Sequence, residues 1–110
     1  MTKIPMSAAA AGLLRSLLAR VGANYDRILL IECRSTDCQS LTLAGERHLL
    51  GFRIPGPGAD EIAVSLTCGL EDAEFSIPGQ IVADIGLESP IAHESDGSIT
   101  ITDEALTIAE

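Results

Sequence analysis

After Arg53 the chain has no lysine or arginine, and the remaining 57 residues carry twelve carboxylates. The opposite lack holds at the start, where Lys3, Arg15 and Arg20 stand among 25 residues without a single acid. The sequence is therefore a dipole, +3 over residues 1–25 and −12 over residues 26–110, for a net charge of −9. Tryptophan is absent, and Tyr25, Phe52 and Phe75 are the only aromatics. Nucleic-acid binding draws on clustered cations and on base-stacking rings, so this balance excludes it as an expectation.

Long apolar runs are also missing, and none approaches the roughly 18–20 residues that a membrane span needs. Ala8 to Ala19 has the length of a signal-peptide core, but Arg15 interrupts it and no cleavage pattern follows. Cys33, Cys38 and Cys68 are odd in number and share no spacing, which argues against a disulfide framework and for a reducing, cytoplasmic setting. No D-x-D-x-D-G loop occurs, and Pro55-Gly56-Pro57-Gly58 lacks the Lys-Ser/Thr of a phosphate cradle.

What is present is aliphatic. Apolar residues make up 46% of the 110, with fourteen Leu and twelve Ile, enough for one domain over 1–110 with a core of its own. Ser7 is placed to cap a helix and Gly22 to end it in a left-handed turn. Between them Ala10, Leu13, Leu14, Leu17, Leu18 and Val21 form one stripe, so the spacing predicts a helix over about 7–21. Such a basic amphipathic segment suits a membrane surface or targeting role, but three cations are few, and docking on the protein's own sheet is the expectation.

From residue 27 to residue 109 the pattern has period two. Residues 27–34 make an apolar strand, with Leu29, Ile31 and Cys33 on one side, and Ser35–Asp37 makes a turn. Leu41 and Leu43 alternate next, and a reversal at Ala44–Gly45 sets Leu41 opposite His48. His48, Leu50, Phe52 and Ile54 then share one face, with Arg47 and Arg53 on the other. The Pro/Gly loop at 55–58 breaks the sheet pattern. Ile62, Val64, Leu66 and Cys68 read as a strand, followed by Phe75 and Ile77, a Pro78–Gly79 turn, and Ile81, Ala83, Ile85 and Leu87 facing inward. A hairpin at Ser95-Asp96-Gly97 puts Ile91, His93, Ile99 and Ile101 on one side, and a last short strand takes in Leu106 and Ile108. The fold class expected is α+β, one N-terminal amphipathic helix packed on a curved, mainly antiparallel sheet of about six to seven strands. With no second helical segment, hairpins are expected rather than parallel crossovers.

Parity on those strands brings Cys33, Cys68, His48 and His93 to apolar faces. Four such ligands suit tetrahedral zinc, yet none pair as CxxC or HxxxH, and the expectation is no metal and no cofactor. A Cys–His nucleophile is disfavoured because Cys68 has no cation in the sequence that follows it, and Asp37 adjoins Cys38. On this reading Cys68→Ser costs about 1–3 kcal/mol, from a hydroxyl placed in an apolar site. Asp60–Glu61, Glu71–Asp72 and Asp103–Glu104 fall at expected loops and read as solvated turns. The function expected is a small acidic protein-interaction module without catalytic activity, homodimeric, whose other partner is a protein with a basic surface. The alternative is a small-molecule-binding protein or enzyme with a sheet-and-helix pocket lined by His48, Phe52, Cys68 and His93. Crowded carboxylates further predict that salt and mild acid stabilise the fold.

Overall fold

The computed structural model describes residues 4–110, so Lys3 lies outside the described residues. The first helix, α1, runs Ala8–Ala19 and is capped as expected, with the Ala10 N–H donating to Ser7 Oγ at 3.2 Å. Ala10, Leu13, Leu17 and Val21 are buried, Leu14 and Leu18 pack against the core, and Gly22 takes the left-handed conformation. Gly22–Arg27 continues as a short 3-10 helix.

Five strands follow: β1 Leu29–Gln39, β2 Ala44–Ile54, β3 Gln80–Leu87, β4 Ala92–His93 and β5 Ile99–Ala109. They form one antiparallel sheet in the order β1-β2-β5-β3, with β4 pairing β5 beyond β3. The fold is α+β, with fewer strands than the periodicity suggests. The shortfall arises chiefly at residues 59–67, which form a second helix, α2, Ala59–Thr67, where a strand is expected. Ile62, Val64, Leu66 and Cys68 fit period two, but Ala59, Ile62, Ala63, Leu66 and Leu70 fit period 3.6 equally well. The second set is the buried one, and Val64 is 61% exposed. Asp60 and Glu61 in the first turn complement the helix dipole. Residues 75–77 also form no strand, Ile77 making a single bridge to Gln80 across the Pro78–Gly79 turn, and Leu41 and Leu43 lie outside any strand.

The second helix also changes the topology. Both β2 and β3 are antiparallel to β5, which lies between them, so β2 and β3 run parallel and α2 carries the chain from one to the other. A parallel crossover split by a central strand stands where hairpins alone are expected.

Three strand details depart from simple alternation. In β1 a bulge between Leu30 and Glu32 shifts the register, so Leu30 and Cys33 face the core beside Phe52 and Leu50, while Leu29 and Ile31 are half-exposed. A second bulge, between Val82 and Asp84 in β3, leaves Ile85 as the buried member of Ile81, Ala83, Ile85 and Leu87. The β1–β2 hairpin is longer than expected: Ser35–Asp37 is strand, Ser35 rather than Leu41 lies opposite His48, and the reversal is Ser40–Leu43. Ser40 Oγ accepts from the Leu43 N–H at 3.1 Å. Gly45 is inside β2, where an added Cβ would lie 2.7 Å from the Thr107 carbonyl oxygen.

The β2 pattern holds, and Ile99 and Ile101 are buried as expected, but His93 is exposed and Leu106 and Ile108 belong to the continuous β5 rather than to a separate last strand. His48, Leu50, Phe52 and Ile54 are buried, whereas Arg47 and Arg53 point the other way. Gly97, at φ 88°, closes the 95–97 turn, with Glu94 N–H donating to Ser98 O. Both helices contribute to a single aliphatic core on one face of the sheet, joining Leu13 and Leu17 to Ile62 and Leu66 over Leu50, Phe52, Ile54 and Ile101. Arg20 ties the helices together, donating from Nε to Leu66 O at 3.2 Å and from Nη2 to Cys68 O. A guanidinium thus meets the carbonyls that the end of α2 leaves unpaired.

Candidate functional site

Period-two alternation through β5 sends Ile99, Ile101, Asp103, Ala105 and Thr107 to the helix-covered face, and all five are buried. Two of them are polar, and with His48 they make a polar row inside an otherwise aliphatic layer. His48 is completely buried. Its Nδ1 lies 2.7 Å from Ser35 Oγ, and its Nε2 lies 2.8 Å from Thr107 Oγ1. The imidazole therefore bridges β1 and β5 across β2. Burial lowers its pKa from the usual histidine value, opposed in part by the Glu46 carboxylate. A neutral ring has one N–H and one bare nitrogen, and hydroxyls match both because each can donate or accept.

Asp103 has no such partners. It is 1% exposed, sits between Leu50 and Leu87 on the neighbouring strands, and neither carboxyl oxygen meets a hydrogen-bond donor among the described residues. Burial pushes its pKa up to about 7, with the Arg20 guanidinium pulling the other way. Arg20 stays bonded to the carbonyls of α2, so its charge acts on Asp103 without a hydrogen bond. Leaving a carboxylate bare in this setting is costly, and a proton on Asp103 relieves it.

The four residues expected to line a pocket are dispersed. His48 and Phe52 share the buried face of β2, four residues apart, and Phe52 belongs to the solid core. Cys68 is exposed at the C-terminal end of α2, off any strand. His93 is exposed on β4, with Nε2 3.4 Å from Asp60 Oδ1. His48 pairs with Ala105 and His93 with Ile99, which separates the imidazoles by six positions of β5, roughly 20 Å. Cys33 lies half-buried opposite Leu50, and burial pushes its thiol pKa up, away from thiolate chemistry. Among the described residues no three His, Cys, Asp or Glu side chains converge as a metal site would require, and no helix is long and apolar enough to cross a membrane.

Asp103, Thr107 and Ser35 are the residues that sequence reasoning missed. The signal for the first two is partial: Ile99-Thr-Ile-Thr alternates, no Gly or Pro interrupts the run as far as Thr107, and carrying the parity of Ile99 and Ile101 onward places Asp103 and Thr107 inward rather than in a loop.

The other face of the sheet has no helix on it among the described residues. Ile31 and Ile81 are 51% and 52% exposed at its two edges, with Leu49, Leu106 and Ile108 half-buried between them. Strand order turns the sequence dipole into a lateral one here. Residues 29–54 fill the β1–β2 half, whose outer face carries Arg34, Arg47 and Arg53 with one carboxylate, Glu32, while Asp37 and Glu46 pair toward the hairpin tip; residues 80–109 fill the other half, which has no cation and carries Asp84, Glu88, Glu94 and Glu104. Arg47 meets Glu104 at 3.1 Å across the boundary, Arg34 pairs with Glu32 at 3.2 Å, and Arg53 pairs with Asp96. A shallow hollow of about 250 Å³ lined by Arg34, Arg47, Leu49 and Glu104 crosses this boundary, and another of about 500 Å³ beside β3 is walled by Glu71, Asp72, Asp84 and Glu104.

No protein-family model matches this chain, and comparison with curated proteins and with solved structures finds none that is similar.

Proposed function

We propose that this protein is a non-catalytic, acidic interaction module of the cytoplasm that self-associates as a homodimer and uses the uncovered face of its sheet as the binding surface. The observation that carries the reading is the one-sided sheet: both helices lie on the same face, leaving Ile31, Leu49, Ile81, Leu106 and Ile108 in contact with water on the other. An apolar centre with charged surroundings is the usual make-up of a protein–protein interface. The acidic half also suits a protein partner with a basic surface. The cytoplasmic setting rests on three free cysteines, two of them exposed. Light scattering at micromolar concentration is expected to return twice the 11.5 kDa chain mass, and a monomer would overturn the homodimer.

A second reading has one observation behind it. Ser35 is exposed, and its Oγ is 2.7 Å from His48 Nδ1, the spacing of a nucleophile and its base. Thr107, not a carboxylate, holds the far nitrogen, so no carboxylate bonds the ring to stabilise an imidazolium. Labelling of Ser35 by a fluorophosphonate, abolished in Ser35→Ala, would support an acyl-transfer enzyme; no labelling would leave the row as a structural bridge.

A further inference from the structure

Resting on the self-association reading, we infer that the second copy docks face to face about a two-fold axis parallel to the strands, between β2 and β5, so that the arginine half of each copy covers the carboxylate half of the other. Two identical sheets that face one another are related by an axis lying in the interface plane. If that axis runs across the strands, β1 stacks on β1 and β3 on β3, placing arginines over arginines and carboxylates over carboxylates. If it runs along the strands, β1 stacks on β3 and β2 on β5, and every charged half meets its opposite. The lateral split, with Arg34, Arg47 and Arg53 on one side and no cation on the other, selects the second arrangement.

The register makes this residue-specific. Thr36, Arg47, Leu106 and Asp84 lie at one level across the four strands, so the axis carries Thr36 over Asp84 of the second copy. Arg34 shares its level with Leu49, Glu104 and Gly86, which brings it to Asp84 and Glu88 of the second copy and to the Glu71 carboxylate that lies over Gly86. Arg53 shares its level with Thr100 and Ala92, beside Glu94, whose carboxylate accepts from the Thr100 hydroxyl at 3.2 Å. The three arginines already hold a carboxylate within their own chain, yet a guanidinium has five N–H groups, and all three side chains remain about half exposed or more. Leu49 and Leu106 fall on either side of the axis, Leu49 over the level of Glu104 and Leu106 over the level of Arg47 in the second copy, so each lies only diagonally from its own copy. Strands of up to eleven residues, four abreast, span roughly 36 by 19 Å, on the order of 700 Å² in projection, close to the ~800 Å² per partner of a specific interface. Aligned sandwich packing, with sheets turned by about 30°, keeps these pairings near the axis.

The test combines charge reversal with cross-linking, all at exposed positions. Arg34→Glu with Arg53→Glu is expected to weaken dimerisation at least tenfold by sedimentation, with the circular dichroism spectrum unchanged. In a Cys38→Ser, Cys68→Ser background, Thr36→Cys mixed with Asp84→Cys is expected to give a disulfide-linked pair that neither variant forms alone. Thr36→Cys chains that link to each other instead would overturn the axis in favour of like-on-like stacking or an edge pairing through β1. A double reversal that leaves dimerisation unchanged would remove this face as the interface while the homodimer itself stands. A wild-type monomer would remove both.

Discussion

Asp103 and His48 sit two positions apart along the same buried face, and their protonation has opposite consequences for the fold. Asp103 has its pKa raised by burial to about 7, above the roughly 3.9 of an unfolded chain. Between those values the folded state holds a proton that the unfolded state has released, so stability falls as pH rises from about 4 to about 7, and then levels off. His48 has its pKa lowered, so below about 6.5 the unfolded chain takes up a proton first and stability falls as pH drops. Replacing the carboxyl by an amide isolates the first effect. Asp103→Asn is expected to stabilise the protein by about 1–3 kcal/mol at pH 8, where wild type must bury a charge, and by almost nothing near pH 4. Denaturant melts of both proteins across this range measure it, and a difference independent of pH would show that Asp103 is ionised in the fold or solvated. Repulsion among neighbouring carboxylates is the sequence-based reason for stabilisation by mild acid; the structure supplies a separate one in desolvation of a single group.

At the scale of elements, what was legible depended on whether one period alone fitted. The α1 stripe runs over three turns with a serine cap and a glycine stop, and no alternating reading competes with it. The nine residues of α2 satisfy both periods, and the choice was made by tertiary packing that leaves Val64 in water. Each bulge in β1 and β3 inserts one residue and inverts the parity beyond it, which is why Ile31 and Ile81 face solvent. The hairpin tip was hidden for another reason: Ser35-Thr36-Asp37 lies exposed on an edge strand, where polar residues on both faces say nothing about turns. Among the candidate site residues, His48 and Phe52 were placed on the correct face because β2 has no bulge, while Cys68 followed the misread helix. Its expected cost on mutation changes accordingly. Cys68→Ser is now expected to alter stability by less than about 0.5 kcal/mol, since the thiol is exposed. Arg20→Ala, which strips two carbonyls at the end of α2 of their donor, is expected to cost about 1–2 kcal/mol. Thermal melts of the two variants side by side check both, and the reverse order would return Cys68 to a buried strand.

For the whole molecule the charge is settled by strand order. Because the chain leaves β2 at Ile54 and the last cation is Arg53, all three arginines of the outer face lie in one half of the sheet. Two of the remaining described arginines are occupied with backbone carbonyls, Arg20 with α2 and Arg27 with Pro55 and Pro57. The arginine–carboxylate pairs are solvent-screened surface pairs and individually weak, against sixteen acids confined to one small domain. Repulsion therefore dominates the folding of a single chain, and salt screens it over a Debye length of about 8 Å at physiological ionic strength. The docked pair has the opposite sensitivity, because the same screening weakens the attraction between unlike halves. Raising sodium chloride from low concentration to about 0.5 M is thus expected to raise the melting temperature of dilute protein and, in the same buffers, to raise the dissociation constant of the dimer. Scanning calorimetry of a dimer-deficient Arg34→Glu, Arg53→Glu variant, set beside sedimentation of the wild type, separates the two trends. A melting temperature that falls steadily with salt in that variant would mean that specific ion pairs outweigh the crowding of carboxylates even within one chain. A dissociation constant indifferent to salt would leave the apolar strip of Leu49 and Leu106 as the sole source of affinity.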